Sequence, residues 1–232
     1  MDERPAVVWF RRDLRLADNH VLTAAVAAHR RIIPLFVVDD VLWNRSANRR
    51  WFLAGALADL DRQLHGRLVV RHGRPAEVIA DLVTRHDVAA VHRAQDVGVY
   101  GRRRDADVDD ALAGGDVRVV ESDSPWAAPA GSVRTGAGSG YQVFTPFSRA
   151  WRHRAATTPI PAPARISTVA GVRSDALPPP GDPTAASLPT PSVAAAEATL
   201  DAFANGPLDR YGSTRDLPGV DGTSRLSPYL RF

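Results

Sequence analysis

Arginines and an aspartate follow directly on an apolar run near the start of the chain: Ala6-Val7-Val8-Trp9-Phe10 leads into Arg11-Arg12-Asp13-Leu14-Arg15, with Asp18-Asn19 close behind. A second apolar run, Ile32–Val38, leads into Asp39-Asp40, with Arg49-Arg50 further on. Gln95-Asp96 and then Tyr100-Gly101-Arg102 follow a later run. Guanidinium forks, carboxylates, an amide and a phenol together can donate and accept around the rim of a planar polar ligand. The plainer reading is also open. An arginine-rich turn beside an aspartate forms surface ion pairs of little worth, and Asp39 and Asp96 can cap helices.

These groups come together only if the intervening segments form the right elements. Ala6–Phe10, Ile32–Val38, Leu68–Arg71, Val88–His92 and Val117–Val120 read as short buried strands. Between them lie helical stretches: His20–His29 behind an Asp18-Asn19 cap, Ala47–Leu64 ended by Gly66, Pro75–His86 with proline in its first turn, and Arg102–Leu112 closed by Gly114-Gly115. Strands alternating with helices predict an α/β fold, a five-stranded parallel sheet covered on both faces. Ligands of such sheets bind beyond the carboxyl ends of the strands, where strand order reverses. If the first, second and fourth strands are neighbours, the polar groups converge on that edge.

Past Glu121 the pattern loosens. Residues 122–140 read as loop, Tyr141–Phe147 as a compact aromatic segment, and Ser148–Arg154 as a short helix. Pro159 to Pro191 holds nine of the 18 prolines, which cannot close a core and reads as a linker. Val193–Phe203 is a further helical segment. The expected organisation is an α/β domain over 1–155, a proline-rich linker over 156–192 and the start of a helical domain over 193–232.

Several chemistries are excluded. No cysteine is present, so disulfides, thiolate nucleophiles and thiolate metal sites are absent. The seven histidines are scattered without metal-ligand spacing, and no nucleophile elbow, P-loop or glycine-rich dinucleotide turn occurs. Neither a catalytic residue nor a metal site is assigned. All 29 basic residues are arginine, yet the net charge is only +3; the arginine excess reads as compositional drift and does not by itself establish nucleic-acid binding. No apolar run reaches a membrane span's roughly 20 residues and no signal peptide is legible, so a soluble, cytoplasmic monomer is expected.

Val8-Trp9-Phe10-Arg11-Arg12-Asp13-Leu14-Arg15-Leu16 with Asp18-Asn19 resembles the opening signature of the DNA photolyase/cryptochrome family. Tyr141-Gln142-Val143-Phe144-Thr145-Pro146-Phe147 with Trp151 is similar to the segment closing that family's antenna domain. Tyr211, Arg215-Asp216 and Thr223-Ser224-Arg225-Leu226-Ser227-Pro228-Tyr229-Leu230 resemble the entry of its flavin domain. The resemblance, to class I cyclobutane-dimer photolyases in particular, implies a Rossmann-like domain holding a light-harvesting chromophore. It also implies a helical domain in which reduced FAD, driven by blue light, splits pyrimidine dimers in UV-damaged DNA.

Folate-type members carry Asn-Glu where this chain has Tyr100-Gly101, whereas Val99-Tyr100-Gly101-Arg102 resembles the Pro-Tyr-Gly-Arg of deazaflavin-type members, departing at Val99. The resemblance therefore implies 8-hydroxy-5-deazaflavin rather than methenyltetrahydrofolate, lined by Phe36, Val38, Asp39, Arg49, Asp96, Tyr100 and Gly101. Arg49 would stabilise the ionised chromophore and Asp96 would accept from its polar edge. It further implies that Tyr211, Thr223, Ser224, Leu226 and Ser227 meet the FAD phosphates, at an expected helix start, and that Arg215 lies on the DNA-facing side. A helix cap by Thr223 or Ser224 is the plainer alternative. Because the family's dimer pocket, tryptophan relay and most of its flavin pocket lie downstream of Phe232, the chain is expected to be truncated, to bind only the antenna chromophore, and to leave Leu226, Leu230 and Phe232 exposed or loosely docked. A free-standing chromophore or nucleotide-binding module, or a fragment of a cryptochrome-type photoreceptor, is the alternative reading.

Overall fold

The computed structural model describes residues 2–43, 46–122, 126–154, 158–184 and 187–232. The chain divides into two compact units, the first comprising residues 1–39 and 67–175 and the second residues 40–66 and 176–232. The expected boundary at 155 and 156 lies outside the described residues.

The first unit is built on β1 (Ala6–Phe10), β2 (Ile32–Val38), β3 (Val69–His72), β4 (Ala90–Ala94) and β5 (Arg118–Ser122). They form one parallel sheet in the order β3-β2-β1-β4-β5, so strand order reverses between β1 and β4. Successive side chains of a strand face opposite sides. Val7, Trp9, Ile33, Leu35, Val37, Val69 and Val91 therefore share one face, where they pack with Val78, Ile79 and Leu82 of α4 (Pro75–His86) and Val108 and Leu112 of α5 (Val99–Leu112). The other face meets α1 (His20–Ala28), which lies against β1, β4 and β5. Both faces are thus covered, which explains why β1, β2 and β4 are buried at every position.

Local chemistry sets the helix ends. Asn19 caps α1 by accepting from the Leu22 N–H at 2.9 Å, while its amide donates to the carbonyls of Asp13 and Arg15. The Arg11–Asn19 turn is thereby tied to the helix that follows it. The helix expected from Arg102 instead starts at Val99, because Asp96 accepts the Gly98 N–H and organises the entry to the first turn. The helix expected from Ser148 is α6 (Phe144–Arg152), with Pro146 in its first turn, where a missing N–H does no harm.

The proline-rich segment is not a free linker throughout. Thr168 pairs with Ile32, whose N–H donates to the Ser167 carbonyl and whose carbonyl accepts from Val169. Further on, the Val70 N–H donates to the Ser174 hydroxyl, the His72 N–H to Asp175, and the Asp175 N–H to the Val70 carbonyl. β3 is an edge strand, and a segment that satisfies its outward N–H groups blocks edge-to-edge pairing. Composition predicts the extended backbone; the exposed edge decides where it lies.

In its described residues the second unit holds helices and turns only: α2 (Asp40–Trp43), α3 (Ala47–Gln63), α7 (Val193–Ala204), α8 (Tyr211–Thr214) and single 3-10 turns at Pro207–Arg210 and Tyr229–Arg231. Ser192 caps α7 by accepting from Ala195, and the Val193 N–H donates to Asp59 of α3. Phe52 stacks on Phe232 and meets Tyr229 edge-on. Phe232 is therefore docked, Leu226 is half-buried, and Leu230 stands 82% exposed.

Candidate functional site

The carboxyl ends of β1 and β4, on either side of the reversal, carry a buried charge network. Arg11 Nη1 donates to Asp105 at 2.5 Å, and Arg104 donates to both Asp105 at 2.9 Å and Asp96 at 3.4 Å. Arg12 approaches the same Asp96 oxygen, Oδ2, at 3.9 Å. The guanidinium groups of Arg11 and Arg104 lie 4.7 and 4.9 Å from the Trp9 ring centroid, an arrangement the ring quadrupole favours. Arg93, one pleat on in β4, forks onto Asp109 at 2.8 and 2.9 Å and reaches Glu121 at 3.4 Å. Burial disfavours its charge, but the Asp109 hydrogen bonds and the surrounding carboxylates outweigh this and raise its pKa.

Two carboxylates of the network are driven in opposite directions. Asp13 is 1% exposed, and burial raises its pKa despite the Arg11 N–H donating to it at 2.9 Å. Asp96 pays a burial penalty too, yet the Gly98 N–H and the charges of Arg12, Arg104 and Arg11 overcome it and hold the carboxyl below its ordinary value. Burial, reinforced by Arg104, lowers the pKa of Arg11.

The residues expected to line a ligand separate into two groups. Phe36 and Val38 share the α1 side of β2, with Asp39 directly beyond them, and the Tyr100 hydroxyl donates to Asp39. Asp96 and Gly101 touch: a Cβ at Gly101 would lie 2.1 Å from Asp96 Cγ, so the missing side chain makes room for the carboxylate itself. Asp96 is consequently engaged by protein donors. Arg49 belongs to the second unit, in the first turn of α3, with its side chain exposed.

Also in the second unit, Tyr211 opens α8, meets Phe203 edge-on and lies beneath the Arg215 guanidinium at 5.9 Å. Thr223, Ser224, Leu226 and Ser227 form an irregular loop rather than the expected helix start, since a single 3-10 turn follows at Tyr229. Arg225 in that loop has φ +51. The backbone N–H groups from Thr223 to Ser227 donate to no acceptor among the described residues.

Arg93, Arg104, Asp105 and Trp9 were not marked as site residues by the sequence. A signal was present. Arg104, Asp105, Val108 and Leu112 recur at helical spacing, so the charges ride the same buried stripe as the apolar side chains.

Two buried polar atoms at the reversal, Arg11 Nη2 and Gln95 Oε1, have no hydrogen-bond partner among the described residues. One donates and the other accepts, and they follow β1 and β4 directly. Buried groups of this kind are usually satisfied. Among the described residues no group of three metal-ligating side chains occurs, and no helix is long and apolar enough to cross a membrane.

Comparison with known proteins bears on the fold and the family. The DNA photolyase family model matches residues 6–164. The chain is 36% identical to a deoxyribodipyrimidine photo-lyase of Streptomyces griseus over 98% of its length and 52% of that protein's. A deoxyribodipyrimidine photo-lyase of Halobacterium salinarum is 37% identical over 97% of this chain and 51% of its own. Among solved structures, a bacterial class III photolyase from Agrobacterium tumefaciens superposes with a TM-score of 0.82 at 27% identity, over 99% of this chain and 50% of that one. The chain spans about half the length of the curated relatives it matches.

Proposed function

Because the chain belongs to the DNA photolyase family, we propose that it carries the antenna-chromophore portion of a protein that splits pyrimidine dimers in UV-damaged DNA with blue light and reduced FAD. The observation that carries this reading is the buried donor and acceptor without a partner among the described residues, Arg11 Nη2 and Gln95 Oε1, flanking the strand reversal. That is where open parallel sheets bind their ligands.

A bound antenna group supplies light absorption and passes the excitation on. The chain's residues do the holding. Tyr100, by donating to Asp39, fixes a phenol and a carboxylate beside the apolar Phe36 and Val38. Asp96, kept ionised by Gly98, Arg12 and Arg104, sets the first turn of α5 and the position of Tyr100; its role is positioning as much as contact. Gly101 admits that carboxylate. We assign 8-hydroxy-5-deazaflavin over methenyltetrahydrofolate because Tyr100-Gly101 stands where folate-type members carry Asn-Glu. Arg49 is assigned to the ionised chromophore on the resemblance alone.

For FAD, Tyr211, Thr223, Ser224, Leu226 and Ser227 are assigned as one wall of a phosphate site. The five N–H groups without acceptors in the 223–227 loop support this, since consecutive backbone N–H groups beside a left-handed residue suit an anion. Arg215, its side chain 53% exposed, ion-paired with its neighbour Asp216 and lying over the Tyr211 ring, is assigned to the DNA side. Their exposure makes them a partial surface rather than an enclosed pocket, so this chain is expected to hold FAD weakly.

Reconstitution tests the antenna assignment. The purified chain is incubated with each chromophore separately, passed through gel filtration and read by absorption. Retention of the deazaflavin, reduced by Tyr100→Phe, is expected. Retention of folate alone, or of neither, overturns it.

A further inference from the structure

The first unit has a concave feature at the amino ends of the strands, at the opposite end of the sheet from Arg11 and Gln95. A cleft of about 690 Å³ opens there between the end of α1, the start of β2 and the segment that pairs with Ile32. Strands of this length separate it from the Arg11–Asp96 edge by roughly 15–20 Å.

Its walls come from three distant parts of the chain. Arg30 and Arg31 follow α1; Arg165, Ser167 and Thr168 arrive with the edge-covering segment; Glu3 precedes β1. The Ile32 N–H donating to the Ser167 carbonyl at 2.9 Å and the Val169 N–H donating to the Ile32 carbonyl at 3.0 Å lock that segment in register. Three guanidinium groups thus face one carboxylate, and Arg30 already donates to Glu3 at 2.7 Å. The guanidinium groups of Arg31 and Arg165 and the hydroxyls of Ser167 and Thr168 have no side-chain partner among the described residues. Val26, half-buried, gives the cleft an apolar patch. None of these residues belongs to the antenna or flavin assignments made above.

Guanidinium forks match phosphate oxygens two at a time. Two uncommitted forks, two hydroxyls and an apolar patch in a volume typical of small-ligand sites select a compact phosphate ester bearing a ring. The Glu3 wall works against a continuous polyanion. We propose that this cleft binds a phosphorylated small molecule of mononucleotide size, with Arg31 and Arg165 on the phosphate and Val26 against the ring.

The full chain is titrated calorimetrically with AMP, adenosine, inorganic phosphate and a short DNA duplex at low and physiological salt. Saturable one-to-one binding of AMP is expected, tighter than phosphate, absent for adenosine and weakened by salt. Arg31→Gln with Arg165→Gln should weaken AMP by about tenfold or more, the loss of at least one charge-assisted hydrogen bond. Arg165→Gln alone should give a smaller loss. Arg85→Gln, which removes an exposed ion pair to Asp81 on α4, should change nothing. All three arginines are exposed, so circular dichroism should report an intact fold. The proposal fails if AMP does not bind, if binding survives the double substitution, or if the duplex binds more tightly than AMP at equal phosphate concentration.

Discussion

Replacing Gly101 with alanine places a methyl carbon 2.1 Å from Cγ of Asp96 and 2.3 and 2.6 Å from its two oxygens. Real Cβ atoms do not approach so closely, so the carboxylate must leave. It is tethered through the Gly98 N–H at 3.0 Å and Arg104 at 3.4 Å, and its side chain is only 9% exposed. Overpacking of this kind costs about 1–3 kcal/mol, and uncoupling the carboxylate from the Gly98 N–H adds about 1 kcal/mol. The alanine returns about 0.5–1 kcal/mol of helix propensity. The net expectation is a loss of about 1–3.5 kcal/mol in urea unfolding, read as a lower midpoint at unchanged slope. The decisive measurement is the cycle with Asp96→Ala. With the carboxylate gone the methyl has room, and Gly101→Ala should then be neutral or stabilising by up to about 1 kcal/mol. A coupling of at least about 1 kcal/mol follows. Equal effects of Gly101→Ala in both backgrounds would refute the reasoning.

Burial first, then the charges of His29 and Arg118, push His92 down to about 4 from an ordinary 6.5. The folded protein thus resists a proton that the unfolded chain takes up, so stability is held above pH 6.5 and falls, by of order 2 kcal/mol, as pH drops from 6.5 to 4. His92→Leu should flatten urea midpoints across that window, and an unchanged slope would remove His92 as the cause. At the sheet edge, Ser174→Ala with Asp175→Ala deletes the acceptors of the Val70 and His72 N–H groups. Each loss should cost about 0.5–1.5 kcal/mol and speed amide exchange at those two positions, while Val7 in central β1 stays protected.

The α/β alternation was legible because buried parallel strands must be continuously apolar and their crossover helices periodic, as Ile32–Val38 and Pro75–His86 are. Helix ends with a local cause were readable too: Asn19 caps α1 within its own turn. Where the cause was remote, the reading failed. Composition marks 159–191 as extended and proline-rich, but only the unpaired edge of β3 places Ser174 and Asp175 against it. The 223–227 loop carries hydroxyls suited to a cap, and the chain there forms no helix to receive one.

The same division holds at the site. Residue types after β1, β2 and β4, and the motifs they compose, come from the sequence, because local spacing dictates which groups sit at a strand's end. Pairings across strands do not. Arg11 with Asp105, Arg93 with Asp109 and Tyr100 with Asp39 join residues 94, 16 and 61 positions apart. Each depends on the strand order and on the rotation of α5 over the sheet. The sequence alone determined the fold class, the family and the chemistry available at the edge. Tertiary structure decided which charges are buried together, which glycine lies against a carboxylate and which buried polar atoms lack a partner among the described residues, because desolvation and close contact act through space rather than along the chain.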